Sequence, residues 1–184
     1  MATVLPPGVQ APRKGHLTLT LTWDPSQWSA SLWSQRVRVK WWGERGDGQL
    51  LRPSLSASAA LPGDDEVDAS TLRYDIACGP QQLAKYLGDM RMLVLDLEEV
   101  DGEDASGTVH TLGYAYLHLG LARFGMPFDA PVTVYAGERA DHELAQLNAR
   151  LFVSFAASGL ADEELASCGS IGDLVQQAPS RLAV

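Results

Sequence analysis

The sequence predicts an all-β fold, an eight-stranded antiparallel β-sandwich with one short helix and a C-terminal tail. Several short segments alternate apolar and polar residues with a period of two, which is the pattern of half-buried strands. Segments rich in turn-forming residues separate them, as is typical of sandwiches and barrels. Only one segment places its apolar residues at helical spacing, so helix makes a small contribution to the fold.

The first half of the chain contains four of the predicted strands. Residues 16–23 alternate leucine and tryptophan with threonine, and residues 36–42 alternate valine and tryptophan with arginine and lysine. Glycines and an Asp-Gly pair in residues 44–48 predict a hairpin turn, since these residues tolerate positive φ. A short return strand over 49–52 follows the turn, and residues 72–78 resume the alternation.

The second half supplies the helix and four more strands. Pro80 suits the first turn of a helix, and Gly88 is predicted to end that helix. Residues 90–97 are almost continuously apolar, which indicates a central strand. The remaining strands are predicted over these segments: 109–119, 132–136 and 145–155.

These elements define one domain with two flanking segments. Residues 1–14 form a proline-containing lead segment, and residues 15–156 form the sandwich. Within it, residues 54–70 are rich in Ser, Ala and Asp and predict a mobile loop. Residues 157–184 are expected to be a tail or linker that is partly helical, since glycines interrupt its apolar pattern.

Composition narrows the class of function. The chain has 184 residues, 46% of them apolar and 20% charged, which is ordinary for a globular domain. A net charge of −9 argues against nucleic acid as a partner and weakly against an anionic bilayer. Two cysteines make neither a disulfide framework nor a metal cluster. Neither a signal peptide nor a membrane span is predicted, so we expect a soluble intracellular protein.

Three segments together resemble a known family. They are residues 37–44 (Val-Arg-Val-Lys-Trp-Trp-Gly-Glu), 74–80 (Tyr-Asp-Ile-Ala-Cys-Gly-Pro) and 86–95, which begins Tyr-Leu-Gly-Asp-Met. In order and spacing the chain resembles the N-terminal C2 domains of the C2 domain-containing protein 3 family over roughly residues 5–155. The resemblance implies a C2-type sandwich and its strand order.

The same resemblance implies a place in the cell. The family is one of large scaffolds of the centriole, required for centriole elongation, distal appendage assembly and ciliogenesis. It implies location in the cytoplasm and cytoskeleton, at the centriole, centrosome or basal body. The implied partners are centriolar proteins or other domains of the same chain, and the oligomeric state stays open.

Calcium-binding C2 domains bring several carboxylates together between loops at one end of the sandwich. Here Glu99, Asp101 and Asp104 follow a core strand, in the position of one such loop. The facing loop, residues 24–35, offers only Asp24. Because calcium needs six to eight convergent oxygen ligands, we expect a solvated acidic loop, with no metal and no cofactor.

A partner or lipid surface is predicted on the second strand. Arg36, Arg38 and Lys40 fall on one strand face, where they could meet an acidic partner, a lipid head group or only solvent. Trp41 shares the face of the core valines, which leaves Trp42 as the exposed tryptophan and a candidate interface anchor. The alternative for Trp42 is packing against the loop over 54–70.

Other residues are interpreted as structural. Trp28 and Trp33 follow the first strand and are expected to cap an open end of the sandwich, with membrane insertion as the alternative. Cys78 falls on an apolar face and is interpreted as a core residue. The four histidines lack metal-site spacing, and the serine-elbow and phosphate-loop motifs are absent from the sequence. We therefore expect a non-catalytic protein-interaction module, with a phosphoinositide-binding peripheral membrane domain as the alternative.

Overall fold

The computed structural model describes residues 3–5, 15–24, 26, 35–44, 46–55, 69–100, 109–137 and 142–155. These residues form nine β-strands and one α-helix. In chain order the elements are β1 Thr3–Leu5, β2 Gly15–Trp23, β3 Arg36–Val39, β4 Gln49–Leu51, β5 Thr71–Ile76, α1 Pro80–Met90, β6 Met92–Val100, β7 Val109–His118, β8 Phe128–Ala136 and β9 Glu143–Phe155.

The strands form one continuous hydrogen-bonded sheet that folds over itself. Its order is β1-β5-β2-β9-β8-β7-β6-β3-β4. Every pairing is antiparallel except that of β1, which lies parallel to β5. Trp41 follows β3 near one end of this order, yet its ring meets Tyr74 of β5 edge-on, with ring centroids 5.6 Å apart. The two halves of the sheet therefore face each other as a sandwich.

A single apolar core fills the space between the two halves. Alternate residues of each strand point inward, because strand side chains alternate between the two faces of a sheet. The inward residues of four strands belong to one buried cluster: Leu17, Leu19 and Leu21 of β2, Val37 and Val39 of β3, Leu93, Leu95 and Leu97 of β6, and Leu147, Leu151 and Val153 of β9. Burial of each leucine or valine contributes about 1.5–3 kcal/mol relative to exposure.

Helix α1 closes one end of the sandwich, which we call the helix end. Pro80 is its first residue, as predicted, and its buried face packs Leu83 and Leu87 into the core. The prediction that Gly88 ends the helix was wrong. The helix continues to Met90, and Arg91 terminates it with φ of 60°, donating its N–H to the carbonyl oxygen of Leu87 at 2.9 Å. With ψ of −50°, Arg91 lies outside the helical regions, so the helical path ends there.

One half of the sheet contains β1, β5, β2, β9 and β8, and the other contains β7, β6, β3 and β4. The two halves separate between β7 and β8, and we call this gap the seam. Within the described residues, β7 and β8 pair at Gly113 and Tyr114, opposite Ala136 and Tyr135. At the same register Pro131 would lie opposite the last residue of β7. Proline has no N–H to donate, so the pairing could not continue there without loss of a hydrogen bond.

All eight predicted strands are present, and the predicted fold class is confirmed. Strand β1 was not predicted: three residues of the lead segment add to the edge of the sheet beside β5. Strand β8 begins four residues before the predicted start at 132, because Pro131 lies outside the part of β8 that pairs with β7, where its missing N–H would cost a ladder hydrogen bond. Strand β3 ends at Val39 rather than at 42. Most of the predicted loop over 54–70 and the whole predicted tail lie outside the described residues.

Candidate functional site

The two adjacent tryptophans have opposite environments, as the alternation predicted. The side chain of Trp41 is 1% exposed and belongs to the core, whereas Trp42 is 65% exposed. The chain turns directly after β3, and Gly43 has φ of 80°, which glycine adopts without strain. The turn therefore presents Trp42 at the helix end of the sandwich.

Trp42 is held in place by the helix. Its ring stacks on that of Tyr86 in α1, with an interplanar angle of 10° and ring centroids 6.1 Å apart. The hydroxyl of Tyr86 donates a hydrogen bond to the backbone carbonyl of Trp42 at 2.7 Å. Burial, followed by the nearby charge of Glu44, raises the pKa of Tyr86, so this hydroxyl keeps its proton at neutral pH. We call Trp42 and Tyr86 the aromatic platform.

The three residues of the predicted basic row, Arg36, Arg38 and Lys40, have different surroundings, because an acidic side chain neutralises one of them. Arg36 and Arg38 are half-buried, and Lys40 is exposed. Arg38 donates from Nε to Oε1 of Glu98 at 2.5 Å and from Nη2 to Oε2 of the same residue at 2.9 Å. Glu98, on the neighbouring strand β6, is only 5% exposed. The charge of Arg38 is therefore neutralised within the domain.

A second carboxylate reinforces this arrangement. Asp96 lies directly opposite Arg38 in the pairing of β3 with β6. Burial and the nearby charge of Glu98 raise the pKa of Asp96, and Arg38 acts in the opposite direction. The bond to Glu98 raises the pKa of Arg38 above its already high value. Lys40 is thus the exposed cation of the predicted row.

Sequence reasoning missed an exposed apolar face beside this row. Met92 and Val94 of β6 are exposed, and Val94 pairs with the exposed Tyr116 of β7. Lys40 follows Val39, which pairs with Leu95, so Lys40 lies level with Val94. The alternation of residues 114–118 contained the signal, because it places Tyr116 on the face opposite Leu117. The apolar run of β6 concealed it.

The calcium candidates are only partly within the described residues. Asp24 accepts hydrogen bonds from the backbone N–H and hydroxyl of Ser26, at 2.9 and 2.8 Å. These bonds, the backbone bond first, lower the pKa of Asp24. Glu99 is half-buried on β6 and pairs with His110. Asp101 and Asp104 lie outside the described residues, as do Trp28 and Trp33.

The described ranges contain few other candidate sites. There, no three His, Cys, Asp or Glu side chains are grouped so that they could hold a metal ion. None of the described helices is both long and apolar enough to cross a membrane. Cys78 is buried in the core, as predicted, and Cys168 lies outside the described residues.

The opposite face of the sandwich carries a shallow groove of about 300 Å³. It is lined by Thr20 and Thr22 of β2, Asn148 and Arg150 of β9, and Asp129 and Pro131 of β8. Arg150 donates to Asp129 across the groove from Nε at 2.6 Å, and both side chains remain exposed. The groove is therefore occupied by a surface ion pair, which contributes little to stability.

Comparison with known proteins identifies the family. A family model described as the N-terminal C2 domain of C2CD3 protein matches residues 2–151. The chain is 36% identical over 116 residues to C2 domain-containing protein 3 of Mus musculus, covering 63% of this chain and 5% of that protein. It is 37% identical over 105 residues to the Homo sapiens protein of the same name, covering 55% of this chain and 4% of that protein.

A relative from Xenopus tropicalis, also called C2 domain-containing protein 3, is 33% identical over 125 residues and covers 64% of this chain. The chain spans about 5% of the length of such relatives. Among solved structures it resembles the C2A domain of plant Extended Synaptotagmin 1, with a TM-score of 0.48, 9% identity and coverage of 79% of this chain and 98% of that one. From the match to residues 2–151, the chain belongs to the family of N-terminal C2 domains of C2CD3 protein.

Proposed function

We propose that this C2 domain is a non-catalytic, calcium-independent protein-interaction module of a centriolar or basal-body scaffold. In that setting it supports centriole elongation, distal appendage assembly and ciliogenesis, in the cytoplasm and cytoskeleton. Its partners are centriolar proteins or other domains of the same chain. The family supports the setting, and the aromatic platform is the observation that supports the interaction surface.

The aromatic platform has the properties of an interface anchor. Trp42 offers a large apolar ring with 65% of its surface exposed. Its stack on Tyr86 and the 2.7 Å hydrogen bond to its carbonyl already fix the backbone and ring. Little conformational entropy is therefore lost when a partner covers the ring. Tryptophan is also the residue type most enriched at interface hot spots.

The basic row supports protein binding over lipid binding. A phosphoinositide head group carries several negative charges and needs cations that are not already paired. Arg38 makes two hydrogen bonds to the buried carboxylate of Glu98, and Asp96 lies opposite it. An approaching phosphate would meet those carboxylates as well as the guanidinium. Lys40 is the one fully exposed cation of the row, and one exposed lysine in the row is a weak basis for recognition of an anionic membrane.

The ligand arrangement supports calcium independence. The carboxylate of Asp24 already accepts two hydrogen bonds from Ser26. Calcium would require several further carboxylate or carbonyl oxygens to converge on it. The facing loop between residues 24 and 35 has no other acidic residue in the sequence.

Targeting of a tagged chain in ciliated cells tests the proposal. Trp42→Ala is expected to abolish its centriolar signal, whereas Trp42→Phe keeps an aromatic ring and retains part of it. Val109→Ala is the matched control, because Val109 is an exposed apolar residue at the opposite end of the sandwich. An unchanged signal for folded Trp42→Ala would contradict the role of the platform.

Vesicle sedimentation tests the lipid alternative. The domain is expected to stay in the supernatant with vesicles that contain phosphatidylinositol 4,5-bisphosphate, with or without calcium. Lys40→Glu is the informative variant, because substitution of Arg38 would also remove its two hydrogen bonds to the buried Glu98 and destabilise the fold. Binding to such vesicles that is lost in Lys40→Glu would replace the protein-interaction proposal with a membrane one.

A further inference from the structure

Among the described residues, β7 pairs with β8 only at Gly113 and Tyr114, so its edge at the seam beyond Tyr114 has no partner strand there. The N–H of Leu119 donates to the carbonyl of Arg91 at 3.0 Å, which fixes the alternation of hydrogen bonds between β6 and β7. In an antiparallel pair, alternate residues bond to the partner strand and the others point away. Leu117 therefore bonds to β6, while the backbone groups of Tyr116 and His118 point away from it, toward the seam. We call Tyr116–His118 the open edge.

The facing edge of β8 differs from the open edge. Asp24 donates its N–H to the carbonyl of Gln146 at 2.9 Å, so even-numbered residues of β9 bond to β2 and odd-numbered ones to β8. By the pairing of β8 with β9, Pro131 then points its backbone outward. A proline there removes the N–H that an added strand would need, which is a common protection of edge strands. The open edge of β7 has no such proline.

The side chains around the open edge are apolar and cationic. Tyr116 is 47% exposed, and it pairs with the exposed Val94. Two exposed cations lie near the end of the edge in the chain: Arg91, whose carbonyl accepts from Leu119, and Arg123 in the turn that follows β7. Asp129, on the neighbouring β8, is already paired with Arg150.

We propose that the open edge binds an extended acidic peptide segment of a partner protein by addition of a β-strand. Backbone N–H and C=O groups of Tyr116 and His118 would pair with the peptide, and Tyr116 and Val94 would contact its apolar residues. Arg91 and Arg123 would attract its carboxylates. In strand addition, backbone bonds give affinity and alternate side chains give specificity. The inference goes beyond the proposed function, since it adds a second protein-binding surface to the aromatic platform.

Two-dimensional NMR of the ¹⁵N-labelled full chain tests the inference. The probe is a capped peptide that alternates glutamate and valine, and its control is the same peptide with lysine in place of glutamate. We expect the acidic peptide to shift the amide signals of Tyr116 and His118 and to slow their hydrogen exchange. The basic peptide is expected to leave both unchanged.

A pair of proline variants tests the direction of the backbone groups. His118→Pro removes an outward N–H at the end of β7 and is expected to weaken binding of the acidic peptide about tenfold. Thr133→Pro is the matched control, because it removes an outward N–H from the edge of β8 instead, and it should bind normally. If His118→Pro does not fold, the exchange rates of the wild-type amides decide the question.

Three results would overturn the inference. They are equal shifts with both peptides, shifts confined to other strands, and shifts at the open edge that depend on the concentration of the chain alone. The last result would mean that a second copy occupies the edge. Trp42→Ala should leave peptide binding intact. If the wild-type chain does not bind the acidic peptide but shows Trp42-dependent centriolar targeting, this inference is rejected and the proposed function is not.

Discussion

The pairing of Arg38 with Glu98 predicts a large effect on stability from a residue that sequence reasoning placed on a binding surface. Arg38→Met keeps most of the side-chain volume but removes both hydrogen bonds to Glu98. Glu98 is 5% exposed, and its carboxylate would lose the two charge-assisted hydrogen bonds that Arg38 donates. Removing one member of a buried ion pair costs about 3–5 kcal/mol. Because 21% of the Arg38 side chain is exposed, we expect a cost of about 3 kcal/mol.

Urea denaturation followed by tryptophan fluorescence measures this cost. In thermal denaturation of a chain of this size, a loss of 3 kcal/mol in the free energy of unfolding lowers Tm by about 6–12 °C. The double variant Arg38→Met with Glu98→Gln removes both charges and should recover about 2 kcal/mol, because no buried carboxylate is left uncompensated. That recovery distinguishes loss of the ion pair from loss of packing.

Arg150→Met is the matched control. It breaks a similar contact, from Arg150 Nε to Asp129 Oδ1 at 2.6 Å, but both side chains are exposed, at 44% and 60%. An exposed pair contributes less than about 1 kcal/mol. If Arg38→Met costs no more than Arg150→Met, the assignment of Arg38 to the fold is wrong, and the guanidinium is available for a partner after all.

Three further predictions concern the core, the acidic neighbour of Arg38 and the seam. Trp41→Ala should lower the free energy of unfolding by about 4 kcal/mol, while Trp42→Ala should cost about 1 kcal/mol, both measured by urea denaturation; equal costs would contradict their assigned environments. Burial raises the pKa of Asp96 above 3.8, so its ionisation reduces stability as pH rises from 3.8 through the raised folded value. Asp96→Asn should therefore be more stable than wild type at neutral pH by less than about 1 kcal/mol, with a difference that vanishes below about pH 3 in a pH series of melting curves. Gly113→Ala should cost about 2 kcal/mol by thermal denaturation, because its Cβ would overlap the backbone carbonyl of Tyr135, and an unchanged Tm would mean that β7 and β8 do not pair there.

The strands were predictable because alternation reports the burial of one face. The alternating leucines of β2 and β9 specify both the element and its inward side, and the same reasoning separated Trp41 from Trp42. Alternation contains no information about which strands are neighbours. The parallel addition of β1 to β5 depends on a three-residue segment that is too short to show a period.

The site was less predictable, because it depends on neighbours distant in sequence. Glu98 follows Arg38 by 60 residues, so neither residue alone indicated the pair. The apolar run of β6 predicted a central strand, and β6 lies between β7 and β3, yet its side chains Met92 and Val94 are exposed. An apolar run indicates that a segment tends to form a strand, whereas the exposure of each strand face depends on whether another layer covers it. No layer within the described residues buries that outer face.

Proximity biotinylation in ciliated cells tests the central claim most directly, that the exposed aromatic platform binds proteins of the centriole. The chain, fused to a biotin ligase, is expressed as wild type, Trp42→Ala and Val109→Ala, with folding of each checked by circular dichroism. Centriolar proteins should be enriched around wild type and Val109→Ala and lost around Trp42→Ala. Equal enrichment around all three, or enrichment of membrane proteins in place of centriolar ones, would contradict the claim.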